Sequence, residues 1–151
     1  MRNIRKMEAP DVSQVEAIEK QLFSLPWAEK SFSDALSAPE NIYLVCEEDG
    51  VIAGYCGMWT VFGEGNVTNM AVHPDFRRRG IGEALMSEME RQALKKNVTI
   101  FFLEVRESNS AARKLYEKAG YRGIGVRKRF YERPVEDAVV MSKIYREGQI
   151  C

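Results

Sequence analysis

Three sets of residues in this chain carry groups that could do chemistry. The first is the run Asn69-Met70-Ala71-Val72-His73-Pro74-Asp75-Phe76-Arg77-Arg78-Arg79-Gly80-Ile81-Gly82. An apolar strand end stops at Pro74, three arginines follow, then two glycines one residue apart, then a helical pattern. Such a corner is a place for phosphate. The first N–H groups of a helix lack intrahelical partners, and the helix dipole adds partial positive charge there. Gly80 and Gly82 carry no Cβ, so an anion can approach the backbone and φ > 0 is allowed. The arginines add fixed charge and bidentate donors. The competing reading is a solvated basic corner. No Gly-Lys-Ser/Thr follows, so this is not an ATP loop, and no third glycine completes a dinucleotide fingerprint.

The second and third sets are single residues. Glu104 lies near the end of the apolar run Phe101-Phe102-Leu103-Glu104-Val105. A carboxylate there needs either a purpose or a partner. It is a general base, or it is one half of an ion pair with Arg106 or Arg113. Tyr116 sits beside Leu115 in a helical pattern. It is a proton donor or a core aromatic, and spacing alone favours the core. His73 is the only histidine, and Cys46, Cys56 and Cys151 fall at no ligand spacing. A histidine triad and a zinc site are therefore not expected, and no metal is assigned.

Periodicity supplies the elements that must position these groups. Residues 3–7 form a short strand. Asp11-Val12-Ser13-Gln14 has the form of a capping box, and Val12, Val15, Ile18 and Leu22 follow at helical spacing. Leu25-Pro26-Trp27 breaks that helix, and a second short helix covers 28–37. Residues 42–48 and 51–62 are strands around the hairpin signal Asp49-Gly50. Gly63-Glu64-Gly65 turns into a strand over 66–72. The clearest helix is 81–96, with Ile81, Ala84, Leu85, Met89 and Ala93 on one face. Residues 99–105 are near-continuously apolar, as in a strand buried on both faces. Strand, helix and strand around Gly82 make a right-handed crossover. Ser108-Asn109 caps a helix over 110–118, and Gly120 suits its end. Strands over 121–129 and 138–145 close the chain, joined by a loop with Pro134.

The totals fit one soluble domain spanning residues 1–151. At 151 residues, 45% apolar and 29% charged, the composition is that of an ordinary globule. Lys+Arg and Asp+Glu are both 22, so there is no bulk electrostatic case for nucleic acid or an acidic membrane. Met1 to Lys6 is charged without an apolar segment, so no signal peptide is expected. An odd cysteine count with two thiols in strand-like runs suggests a reducing, cytoplasmic setting.

The order βααβββαβαββ, an α/β mixed sheet, resembles the fold of the GNAT N-acetyltransferases. Arg77 to Gly82, R-x-x-G-x-G after a strand, resembles that family's pyrophosphate loop. Leu103 to Tyr121 reads L-E-V-R-x-S-N-x-x-A-x-x-L-Y-x-x-x-G-Y, which is similar to the RimI branch. That branch acetylates the N-terminal alanine of small-subunit ribosomal protein number eighteen. Pro26-Trp27, Arg127-Lys128-Arg129-Phe130-Tyr131 and Glu136-Asp137-Ala138 agree with it. The branch usually has Tyr-Tyr-Pro in its late loop, whereas this chain has Phe130-Tyr131-Glu132 and delays proline to Pro134.

The resemblance implies central strands that splay apart around acetyl-CoA. It implies Glu104 as general base and Tyr116 as general acid. Met70, Ala71 and Val72 would hold the pantetheine arm by their backbone. Arg77, Arg78, Arg79, Gly80, Ile81, Gly82 and Glu83 would hold the pyrophosphate, with Asn109 as a further contact. Trp27 and Tyr131 would border a cleft for an N-terminal peptide of a ribosomal protein. No acyl-enzyme cysteine is implied, so transfer is direct. A GNAT enzyme for a small amine is the first competing reading, and a non-catalytic acyl-CoA-binding domain is the second.

Overall fold

A computed structural model describes residues 1–145 of the chain. Cys151, read above as a terminal thiol, lies outside the described residues. The strands are β1 (Arg2–Lys6), β2 (Ile42–Glu48), β3 (Val51–Val61), β4 (Glu64–Val72), β5 (Ile100–Arg106), β6 (Arg122–Tyr131) and β7 (Glu136–Ile144). The helices are α1 (Val12–Leu22), α2 (Glu29–Leu36), α3 (Ile81–Lys95) and α4 (Ser110–Lys118). The order is the expected one, and the sheet runs β1-β2-β3-β4-β5-β7-β6.

Alternation along each strand sends side chains to two cores. On one face Tyr43, Val45, Ile52, Tyr55 and Ala71 pack with Val12, Val15 and Ile18 of α1 and Phe32 and Ala35 of α2. On the other, Leu44, Cys46, Cys56, Leu103 and Val105 pack with Leu85, Met86 and Met89 of α3 and Tyr116 of α4. Asp49 and Gly50 turn the first hairpin with φ of 51° and 82°, the left-handed pair that matches strand twist. The next hairpin turns at Phe62 and Gly63, not at residues 63–65, and β4 begins at once with Glu64.

β4 and β5 are parallel neighbours for only three residue pairs, Glu64↔Ile100, Gly65↔Phe101 and Asn66↔Phe102. Beyond them the strands part. β4 stays on β3, and β5 pairs along its whole length with β7, from Ile100↔Ile144 to Arg106↔Ala138. β4 also bulges: Gly57 faces Asn69 while Met58 faces Val67, which leaves Thr68 as the extra residue.

Two expectations need correcting. β5 is not buried on both faces. Phe101, Leu103 and Val105 are buried, whereas Ile100, Phe102, Glu104 and Arg106 are half-buried. The apolar run misled because α1 and α2 pack over β2, β3 and the end of β4, leaving this face of β5 open. The capping box is also displaced. Asp11 does not cap α1. Its carboxylate accepts from Glu8 N–H at 2.8 Å, closing a box around the 3-10 turn Ala9–Asp11. It also accepts both terminal nitrogens of Arg5, at 2.7 and 2.8 Å.

That Arg5–Asp11 pair joins β1 to the start of α1, and Asp11 is buried. The Arg5 hydrogen bond is the main reason that the Asp11 carboxyl is held below its usual range. Asp11→Asn is expected to cost about 2 kcal/mol at pH 7, the scale of a charge-assisted bond. A depressed folded-state pKa stabilises above the unfolded value and is lost as pH falls through the folded one. The gap between parent and variant in urea unfolding should therefore shrink below about pH 4.

Candidate active site

The corner after β4 leaves a row of main-chain donors without partners among the described residues. A 3-10 turn, Pro74–Phe76, ends β4, and Arg78 and Gly80 take φ of 64° and 75°. Gly80 is the N-cap of α3, and the first intrahelical bond runs from Ala84 N–H to Gly80 O at 3.1 Å. The N–H groups of Ile81, Gly82 and Glu83 precede it, so they point out of the helix end. A Cβ on Gly80 would meet nothing within 4 Å, so its glycine is needed for φ rather than for space. Gly82 differs: a Cβ there would lie 3.2 Å from Leu115 Cδ2 of α4 and 3.9 Å from Val72 Cγ2. Its small size lets α4 approach α3, a reason distinct from the ligand approach expected above.

The three arginines are not equivalent. Arg79 pairs with Glu48 at 3.2 Å, stacks over Phe76 at 5.1 Å, and its carbonyl accepts from Arg2. Its charge is therefore partly offset. Arg77 Nε donates to Val72 O at 3.4 Å, at the mouth of the split. Arg78 is exposed. Glu83 is bridged by Lys118 of α4 at 2.8 Å.

The split exposes one edge of β4. His73 N–H donates to Ala53 O at 2.8 Å. Because antiparallel pairing alternates, Ala71 and Asn69 turn their backbone groups the same way, toward β3. Met70 and Val72 then present theirs to the edge that β5 has left. Of the three residues expected to hold an extended arm, Ala71 is thus turned inward and its neighbours outward.

Two titratable groups flank this gap from opposite faces. Leu103 and Val105 belong to the core under α3 and α4, so Glu104 points to the other face. The Tyr116 ring lies in that core at 7% exposure, 6.1 Å from Tyr121. Its phenol is raised first by burial and then by nearby Tyr131 and Cys56, so it keeps its proton through the alkaline range. Glu104 has neither of its expected ion-pair partners. Arg106 instead donates to Glu136 and to the carbonyls of Glu132 and Pro134, and Arg113 to Glu107 O. The partner of Glu104 is Arg127 of β6, at 3.5 Å.

Tyr131 is near enough to both to interact with each electrostatically. Burial is the main cause that pushes its phenol up to about 12, with Glu104 adding and Arg106 opposing. The Arg106 guanidinium covers its ring at 4.5 Å. Trp27 borders the same face further along. Its ring lies 6.4 Å from Tyr43 and 6.1 Å from Trp59, and the Trp27 main-chain N–H donates to the carboxylate of buried Glu19 at 3.1 Å. Asn109 caps α4, accepting from Ala112 N–H at 3.1 Å. Among the described residues no three His, Cys, Asp or Glu side chains converge on a metal position.

The arrangement provides an anion seat at the start of α3, a strand edge leading from it, and a carboxylate and a phenol at the far end. A family model for the acetyltransferase (GNAT) family matches residues 10–121. The chain belongs to the GNAT acetyltransferase family. It is 39% identical over 139 residues to a Bacillus subtilis protein named provisionally as a ribosomal protein bS18-alanine N-acetyltransferase, covering 91% of this chain and 92% of that one. The Escherichia coli protein of that activity is 31% identical, covering 94% of this chain and 97% of that one. The crystal structure of the Escherichia coli ribosomal-protein-S18-alanine N-acetyltransferase superposes with a TM-score of 0.88 at 30% identity, covering 97% of each chain.

This GNAT site also contains residues that sequence reasoning missed. Arg127 was visible only as part of a basic run, and nothing in spacing set it against Glu104. Arg106 stood two residues after Glu104, on the same face, which is the signal that could have tied it to the late loop. Gly82→Val should push Leu115 and α4 outward. The expected cost is about 1–3 kcal/mol, as for other overpacked contacts, read as a lowered Tm.

Proposed function

We propose that the chain transfers the acetyl group of acetyl-CoA to the α-amino group of a protein N-terminus, with the N-terminal alanine of ribosomal protein bS18 as its acceptor. The observation that carries this reading is the parting of β4 and β5 after Asn66↔Phe102, with Glu104 and Tyr116 on either face of the gap. The named activity of the relatives supports the choice of acceptor.

The residues present suit acetyl-CoA. The free N–H groups at Ile81, Gly82 and Glu83 would take its pyrophosphate, with Arg77 and Arg78 adding charge. The outward N–H and C=O groups of Met70 and Val72 would pair with its amide arm as an added strand pairs. The Asn109 carbonyl oxygen is already used as a cap, which leaves its amide N–H for the ligand. When bound, acetyl-CoA supplies an activated acetyl group as a thioester.

An α-amino group titrates near 7.7–8.0, so roughly one in seven is neutral at pH 7. Glu104 accepts the proton that the amine gives up, directly or through a water. The amine nitrogen forms a bond to the acetyl carbon as the carbon–sulfur bond breaks. Tyr116 gives its phenolic proton to the departing sulfur, which has a thiol pKa of about 8.5. A main-chain N–H at Met70 or Val72 can polarise the thioester carbonyl. Among the described cysteines, Cys46 and Cys56 are buried and burial raises both thiols. Neither suits an acyl-enzyme, so the acetyl group passes directly between the two substrates.

Glu104→Gln and Tyr116→Phe are each expected to lower kcat by roughly 100-fold, with acetyl-CoA affinity retained in calorimetry. Normal turnover in both variants would overturn the assignment. A panel of N-terminal peptides set against small amines tests the acceptor: turnover of small amines alone excludes the peptide reading. Gly82→Val should weaken acetyl-CoA binding by shifting α4, which carries Asn109 at its start.

A further inference from the structure

Glu19 is a buried carboxylate on α1, at 4% exposure. Burying a carboxylate is costly unless its oxygens are well paired. Its neighbour Lys20 pairs with Glu16 at 3.1 Å. The partners of Glu19 are neutral donors: Oε1 accepts from Tyr55 OH of β3 at 2.7 Å, and Oε2 from the Trp27 main-chain N–H at 3.1 Å. The first bond fastens α1 to the sheet. The second reaches the loop between α1 and α2, where Phe23, Ser24, Leu25 and Pro26 are exposed. Glu16, one turn earlier, accepts from Glu29 N–H at 2.7 Å where that loop ends.

The place of Trp27 says what this second bond holds. Trp59 of β3 faces Asn66 of β4, and Asn66 faces Phe102 of β5, the last pair before the strands part. Met58, Val67 and Phe101 pack on the α3 core. The residues next to them in each strand, Trp59, Asn66 and Phe102, therefore turn to the opposite face. Glu104 follows Phe102 by two residues and shares that face. Phe102 is half-buried and Trp59 is 49% exposed. The Trp27 ring stands 6.1 Å from Trp59 and 6.4 Å from Tyr43. The Tyr43 hydroxyl meets Thr68 Oγ1 at 2.8 Å, on β4 two residues past the last pair. The floor that runs up to Glu104 thus carries aromatic rings, and Trp27 stands at its edge.

We propose that Glu19 is a positioning residue for the acceptor: by fixing the Trp27 main chain it holds the indole beside the Trp59–Phe102 floor, over which the chain behind the acceptor amine lies. This deepens the reading above and rests on it. Glu19 touches neither substrate and exchanges no proton. Its effect is on acceptor binding, made equally in the ground state and the transition state, so it acts on KM rather than on kcat.

The test uses three variants of the full chain. Tyr55→Phe keeps the tie to Trp27, Tyr55→Phe combined with Glu19→Leu removes it, and Glu19→Gln retains an oxygen that accepts from the Trp27 N–H. Replacing both buried polar partners by apolar groups of similar size costs little stability, so the double variant should fold. Steady-state kinetics are read with an alanyl peptide of the bS18 N-terminus and with butylamine. In the double variant KM for the peptide should rise about 10- to 100-fold, the loss of one charge-assisted bond, while kcat and acetyl-CoA affinity hold. Tyr55→Phe and Glu19→Gln should keep the parent KM. An unchanged KM in the double variant overturns the proposal. So does an equal rise in Tyr55→Phe, a loss of acetyl-CoA affinity, or a double variant that does not fold, since each makes Glu19 structural. If the parent acetylates butylamine but no peptide, the peptide reading fails. A rise in the butylamine KM of the double variant then still assigns Glu19, and an unchanged one removes it.

Discussion

The fold depends on one interruption: two parallel strands that stop pairing after Asn66↔Phe102. Backbone N–H and C=O groups are nearly always paired in native proteins, so an open edge in mid-sheet needs compensation. Each strand has it on the far side. β4 remains paired with β3 up to Val72, and β5 is paired with β7 up to Arg106. The core beneath does not split. Val67, Met70 and Val72 of β4 and Leu103 and Val105 of β5 pack on one cluster with Ile81, Leu85 and Tyr116. Apolar packing thus holds together what hydrogen bonding has released. Among the described residues, the released groups on the β4 edge are left without strand partners, and only the Val72 carbonyl accepts from a side chain, Arg77 Nε.

The chemistry follows from that parting. A sheet keeps its two faces apart, so groups on opposite faces normally cannot serve one reaction. At a gap they can. Glu104 reaches it from the open face, and Tyr116 from the core under α4. Their environments differ accordingly. Tyr116 is enclosed by apolar neighbours, which keeps its proton in place. Glu104 is half-buried and pairs with the largely exposed Arg127 of β6. That pair is a weak anchor, because exposed ion pairs contribute little.

Much of this was legible in the residues. Helical and strand periods placed the elements in order, and the R-x-x-G-x-G corner falls at the turn into α3. The Leu103–Tyr121 pattern singled out Glu104 and Tyr116, which the fold sets on either face of the gap. What escaped has physical causes. A bulge is one extra residue in a strand, and Thr68-Asn69 carries no local signal for it. The β5 run is apolar throughout, so composition could not tell a strand buried twice from one with an open face. Asp11 followed by a helical pattern looks like a cap, but its carboxylate is used by Arg5 and Glu8 N–H. That contact depends on how β1 lies beside the helix start. The partner of Glu104 is likewise set by sheet order, since β7 lies between β5 and β6 and aligns Arg127 with Ala138 and Arg106 with that same residue.

The late loop shows why a motif without obvious chemistry still belongs to the site. Glu136 and Asp137 begin β7. Glu136 accepts from Ser108 N–H at 2.6 Å and from Arg106 at 3.2 Å, which ties the approach to α4 to the end of β5. Asp137 accepts from Lys128 Nζ at 3.1 Å and from Arg129 N–H at 2.9 Å, where the β6 register shifts. Arg106 then grips the loop by two carbonyls and covers the Tyr131 ring. Almost none of this involves apolar burial: β6 is exposed along nearly its whole length, and Val135 is 66% exposed. The wall carrying Tyr131 is therefore held by carboxylate ties rather than by the core. Few buried contacts mean a low local stability. A wall of that kind can shift while the gap behind it, fixed by the core, keeps its shape.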